Sequence, residues 1–312
     1  MTKENFKAGI VSLVGKPNVG KSSLLNLLVG EKVAIVSDKV QTTRNRIGGI
    51  VNLDDAQIVF YDTPGIHKPL HQLGKYILQV ATNALNGADL ITVILDIEDG
   101  LLQSDKLVSK HVSNTSTPII VLVNKIDTLL DDISESEISK NEKIQNFFIK
   151  AQELFPNNKK IIPISVVKNY GVKEYLDSLL DFLPKGHPLF SEEAITDRSI
   201  KFMTSEIIRE KILYLTKEEI PHSAGIYIQK FEDNQDSLNI IADIIVERKS
   251  QKPILIGKKG SMIGKIRRLA KKDIEYLFDV KVNLELFIKV REKWRQRDKL
   301  IREYTNLIDE IK

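Results

Sequence analysis

The chain of 312 residues contains no cysteine. Disulfides and thiolate metal sites are therefore excluded, and the composition fits a reducing compartment. Long hydrophobic runs are missing too. The longest apolar stretches, 90–95 and 118–123, are strand length, far short of the roughly 20 residues a membrane-spanning helix needs. The first seven residues carry charges of both signs around no apolar core, which is unlike a signal peptide, and a cytoplasmic location is expected. Internal repeats and low-complexity segments are also lacking. One further absence is local: from Lys252 to Lys272 there are eight Lys or Arg and no acidic residue. The net charge of +4 hides this asymmetry, because 251–312 holds 17 Lys and Arg against 9 Asp and Glu, leaving +8 there and −4 in the remainder. A basic end on a nearly neutral body implies a polyanionic partner, either nucleic acid or an anionic membrane surface.

The length predicts two domains, each able to bury its own core. From residue 8 to about 183, short Val/Ile-rich runs at 8–14, 47–53, 57–61, 90–95, 119–123 and 160–164 alternate with helix-like stretches. Continuous apolar runs suit strands covered on both faces. The expectation is therefore an α/β domain with a mostly parallel six-stranded sheet and helices on both faces. The second and third runs are parted by only Asp54-Asp55-Ala56, too short for a crossover helix, so they should form an antiparallel hairpin at a sheet edge. A single helix is expected over 137–154. Pro184, Gly186 and Pro188 punctuate the end of this domain, giving a division into 1–183, a linker at 184–197, and a second domain at 198–312. There, helix-like stretches at 200–215, 261–278 and 294–311 and strands at 224–231, 238–246 and 282–290 make a smaller α+β domain.

The chemistry begins after the first strand, with Gly15-Lys16-Pro17-Asn18-Val19-Gly20-Lys21-Ser22 and then Ser23 at the start of a helix. Glycines at the first and sixth positions let the backbone turn tightly and point N–H groups at a polyphosphate. Lys21 adds a positive charge, Ser22 offers a magnesium ligand, and the helix start favours an anion. Such a loop alone leaves ATPase, kinase and GTPase open. Asp62-Thr63-Pro64-Gly65 ends the third strand, where an aspartate can reach magnesium through water and a glycine N–H can approach a terminal phosphate. Asn124-Lys125-Ile126-Asp127 follows a buried strand, at the sheet edge where doubly wound folds place ligands. Asp127 can accept hydrogen bonds from N1–H and the 2-amino group of guanine, a donor pair that adenine lacks.

These three motifs, in this order and spacing, resemble the translation-factor-related GTPases and, more closely, the Era family. The resemblance implies that Asn124 ties the base loop to the phosphate loop, that the Lys125 stem covers the guanine face, and that Ser165-Val166 stands where the family has Ser-Ala, directing a backbone N–H at guanine O6. Gln41-Thr42-Thr43-Arg44 looks like the first switch, with Thr43 joining Ser22 and Asp62 on magnesium when the γ-phosphate is present. Ile66 follows Gly65, where many regulatory GTPases carry a glutamine that orients water. The implied reaction is slow magnesium-assisted hydrolysis with Lys21, Thr43 and Gly65 as the catalytic groups. Asn18 matches a position that helps hold potassium in related GTPases.

In the basic end, Ile256-Gly257-Lys258-Lys259-Gly260-Ser261-Met262-Ile263 has the form of a K homology loop, expected between a strand and a helix. Its glycines let the backbone press on a sugar-phosphate chain, clamping about four nucleotides. Lys258, Lys259, Lys265, Arg267 and Arg268 supply charge, while Ile256 and Ile263 line an apolar floor. This resembles the type II K homology domain of the Era family. It implies binding of the 3′ end of 16S rRNA and a role in assembly of the 30S subunit by a monomer that binds GTP and GDP. A membrane-surface regulatory GTPase is the alternative, since family members are described as membrane-associated. A metabolic phosphotransferase is a third reading, against which Asn124 and Asp127 speak.

Overall fold

The computed structural model describes residues 5–39, 42–69, 71–131, 133–234 and 236–306. It contains two compact units. The first is formed by the described residues of Met1–Ala34, Arg46–Lys68 and Leu78–Asp197, and the second by those of Ile35–Asn45, Pro69–Ile77 and Arg198–Lys312.

The first unit is built on β1 (Lys7–Val14), β2 (Ile47–Leu53), β3 (Ala56–Asp62), β4 (Leu90–Asp96), β5 (Ile119–Asn124) and β6 (Asn158–Pro163), ordered β2-β3-β1-β4-β5-β6. Only the β2–β3 hairpin is antiparallel. Every residue of β4 and β5 is buried, which explains why their sequences lack alternation. On one face Val93, Leu95, Val121 and Val123 pack with Val108 and Val112 of helix Gln103–Val112 and with Ile144, Phe147 and Ala151 of helix Glu142–Leu154. The long helix expected over 137–154 is two helices. Asn141 leaves helical geometry at ψ 106° and its side chain caps the second by accepting from the N–H groups of Lys143 and Ile144.

The stretch 184–197, expected as a linker, lies along the first unit. Ala8 N–H donates to Pro184 O at 3.0 Å, Ile50 N–H to Ile195 O at 3.0 Å and Gly48 N–H to Asp197 Oδ1 at 2.8 Å. Its prolines punctuate an edge rather than a free tether.

In the second unit, β7 (Gly225–Asp233), β8 (Ser237–Val246) and β9 (Lys281–Val290) form a sheet ordered β7-β8-β9, with β8 and β9 parallel over ten residues. β9 alternates strictly: Val282, Leu284, Leu286 and Ile288 are buried. They share a core with Ile208 and Ile212 of helix Ile200–Leu215 and with Ile266, Ala270 and Ile274 of helix Ser261–Phe278. Two expectations need correction. The segment before the glycine loop is helix Gln251–Ile256, not a strand. Pro253 sits in its first turn, where a missing N–H costs nothing, and accepts at its carbonyl from Gly257 N–H at 2.8 Å. The last helix among the described residues is the short Asp298–Thr305, ended by Asn306 at φ 57°; residues 307–311, over which it was expected to continue, lie outside the described residues, as does Gln41.

Candidate nucleotide site and nucleic-acid interface

β1 delivers the phosphate loop. Asn18 (φ 64°) and Gly20 (φ 100°) adopt left-handed conformations that turn the backbone before helix Lys21–Val29, whose first closed turn is Leu24 N–H to Gly20 O at 2.8 Å. Lys21 is buried and donates to the carbonyls of Gly15 (3.2 Å) and Lys16 (2.8 Å). Burial pulls its ammonium down to about 8, with Asp62 opposing.

Ser22 Oγ donates to Asp62 Oδ2 at 2.6 Å, so two of the three predicted magnesium ligands converge. A hydroxyl and a carboxylate are the hard oxygen donors that magnesium accepts, and the pair fits it. Thr63 Oγ1 pins the end of β3 to β1 by donating to Leu13 O at 2.7 Å. Gly65 follows Pro64 and approaches the phosphate loop so closely that a Cβ there would lie 2.6 Å from Pro17 N. Ile66 N–H donates to Gly15 O at 3.2 Å, and its side chain is fully buried in the core, leaving it no means of orienting water.

At the base end, Asn124 Nδ2 donates to Val19 O at 2.8 Å and Asn124 Oδ1 accepts from Val166 N–H at 3.3 Å. One side chain thus links three loops. Ser165 Oγ donates to Asp127 Oδ1 at 2.5 Å, fixing the carboxylate. Lys125 is left-handed (φ 67°), and its ammonium pairs with Asp96 at 2.5 Å and Glu98 at 3.7 Å. Burial opposes charge on this lysine, but Asp96, Glu98 and Asp99 together hold it above its ordinary value.

Two placements go beyond the sequence reading. Lys16 turns its ammonium away from the loop, to Asp99 (3.3 Å), Asp105 (3.6 Å) and Gly100 O (3.4 Å), so its side chain serves the loop after β4. Thr43 lies in Ile35–Asn45, which groups with the second unit. There Arg209 Nη2 donates to Thr42 O at 2.6 Å, and the buried Arg44 donates from Nη1 to Ala224 O at 2.8 Å. Asp96 and its acidic neighbours were missed, although an aspartate at the carboxyl end of a buried strand is where a doubly wound sheet puts functional groups.

In the second unit Gly257 (φ 71°), Lys259 (φ 51°) and Gly260 (φ 80°) form a tight turn between two helices. Lys258, Lys259, Lys265, Arg267 and Arg268 are exposed beside it. Ile256 and Ile263 line a cleft of about 610 Å³ together with Lys252, Phe287 and Lys289. An apolar floor, a basic rim and a glycine turn suit a single-stranded nucleic acid.

Residues 10–125 match the family described as 50S ribosome-binding GTPase, and residues 219–295 match the KH domain family. GTPase Era of Thermotoga maritima is 46% identical over 99% of this chain and 100% of its own length; GTPase Era of Staphylococcus haemolyticus is 40% identical over 97% and 98%. A crystal structure of Era in complex with MgGDPNP and nucleotides 1506–1542 of 16S ribosomal RNA superposes with a TM-score of 0.88 at 37% identity, covering 96% of this chain and 98% of that one. An Aquifex aeolicus Era variant bound to GDP and AlF4− gives 0.87 at 37% identity, covering 96% and 99%. With a phosphate loop after β1, the Asn124-to-Asp127 motif after β5 and a glycine turn in a basic α+β unit, the molecule is a P-loop GTPase carrying a K homology domain. Within that class, the chain belongs to the Era family.

Proposed function

We propose that this GTPase is a slowly hydrolysing switch that binds the 3′ end of 16S rRNA and acts in assembly of the 30S ribosomal subunit, as a cytoplasmic monomer. The observation that carries this reading is the exposed Gly257-to-Gly260 turn with Lys258 and Lys259 beside the cleft of Ile256 and Ile263. The related Era complex holds nucleotides 1506–1542 of 16S ribosomal RNA.

In this reading Asp127 selects guanine, Lys125 covers the base, and the N–H groups of 15–23 cradle the phosphates. Ser22 and Asp62 would hold magnesium, with Thr43 joining them in the GTP state; the ion neutralises phosphate charge when bound. Water attacks the γ-phosphate in line while Lys21 and the Gly65 N–H stabilise the developing charge. Ile66, apolar and buried, does not orient that water, and turnover is slow. Asn18 would hold potassium near the phosphates; equal GTPase rates in sodium and potassium buffers would remove that part.

A binding assay tests the reading. An oligonucleotide of the 16S 3′ end should bind the chain well above a scrambled one, and Lys258→Glu with Lys259→Glu should abolish the difference while GTP hydrolysis persists. Equal binding of both oligonucleotides would overturn it.

A further inference from the structure

The segment 96–105, from the last residue of β4 into the first turn of helix Gln103–Val112, carries four carboxylates, and between them they hold one lysine from each of two nucleotide loops. Asp96 ends β4 with its side chain buried; Oδ1 accepts from Glu98 N–H at 3.0 Å and Oδ2 pairs with Lys125. Further along, Asp99 and the buried Asp105 pair with Lys16, and Asp105 Oδ2 also accepts from Leu102 N–H at 2.8 Å. The backbone joins in, because Ile97 N–H donates to Asn124 O at 3.2 Å. Neither end of this arrangement is a loose surface pair, for Lys16 is 3% and Asp96 2% exposed.

A lysine stem has four rotatable carbons, and ordering one on a ligand costs rotamer entropy. A fixed carboxylate that captures the ammonium beforehand removes that cost from binding. Asp96 meets the requirement: its own rotamer is fixed by the Glu98 turn, and it sits at a strand end in register with Asn124. The left-handed backbone of Lys125 is a conformation that a non-glycine residue keeps only when its surroundings over-determine it.

We propose that the segment 96–105 is a carboxylate brace for the nucleotide site, in which Asp96 is a positioning residue that preorganises Lys125 over the guanine plane and Asp99 with Asp105 anchors the phosphate loop through Lys16. The proposal rests on the guanine-nucleotide reading above. It assigns residence time of the nucleotide, for GTP and GDP alike, to residues that need not touch it.

Release of fluorescent GDP and GTP analogues from the full chain, followed by stopped flow, tests the brace. Asp96→Asn should speed release of both about tenfold, as expected when a largely buried pair loses one charge, with KM for GTP rising and kcat unchanged. Asp96→Glu should recover most of the loss. In a cycle with Lys125→Met, the double variant should release no faster than Lys125→Met alone. Multiplying effects, or release at the unmutated rate in Asp96→Asn, would overturn the proposal. If Asp96→Asn fails to fold, the exposed pair Glu98→Gln with Asp99→Asn decides instead: acceleration of about threefold supports the brace, and an unchanged rate overturns it. Failure of the unmutated chain to bind either analogue would instead strike the guanine reading itself.

Discussion

In the proposed site, single side chains decide which nucleotide is held. Asp127 is fixed by Ser165, so its acceptors are presented before any base arrives. Asp127→Asn should turn the preference from guanosine to xanthosine nucleotides, lowering GTP affinity by about 100-fold or more in a competition binding assay. Lys21 makes a second prediction. Its folded-state value of about 8 lies below the ordinary 10.5 because burial disfavours the charged form. Between those values the unfolded chain binds more protons than the folded one, so stability rises with pH across about pH 8 to 10.5. A polyphosphate restores the charge. Nucleotide binding at pH 8 should therefore take up about half a proton, measurable by calorimetry in buffers of different ionisation heat. No uptake would mean that the lysine is fully charged beforehand.

At the scale of elements, the loops are held by close backbone approaches that tolerate no side chain. A Cβ on Gly20 would meet Asn124 Nδ2 at 2.4 Å, on a residue already at φ 100°. Gly20→Ala should break the Asn124 bridge and cost nucleotide affinity at least about tenfold by equilibrium titration. This loop was legible in the sequence because glycine spacing states a backbone requirement directly. The sheet was legible too, since the runs of β4 and β5 are apolar throughout. Three residues of Ile254-Leu255-Ile256 could not distinguish a strand from a helical turn, and the structure shows Leu255 buried with Ile254 52% exposed. Asp96 carried no local pattern. Its importance comes from β5 lying beside β4, a neighbourhood that sequence spacing does not state. The ion pairs of Lys16 were illegible for the same reason, as its partners lie more than 80 residues away.

At the scale of the whole molecule, the division into two units does not follow the chain. Ile35–Asn45 belongs to the fold of the K homology unit, where Arg44 also donates from Nη2 to His222 O (3.3 Å), and Asn45 Nδ2 donates to Thr305 O (2.9 Å). Arg44→Ala removes donors from buried carbonyls and should destabilise that unit by about 2 kcal/mol, seen as a lower urea midpoint with an unchanged slope. Thr43, the residue proposed to sense the γ-phosphate, lies within Ile35–Asn45. The central claim is that guanine-nucleotide state governs binding to the small-subunit RNA. Crosslinking and sequencing of RNA bound to the full chain, loaded with a non-hydrolysable GTP analogue or with GDP, tests it most directly. Enrichment of the 16S 3′ end that differs between the two states is the expected result; recovery mainly of messenger or transfer RNA, or identical recovery in both states, would contradict it.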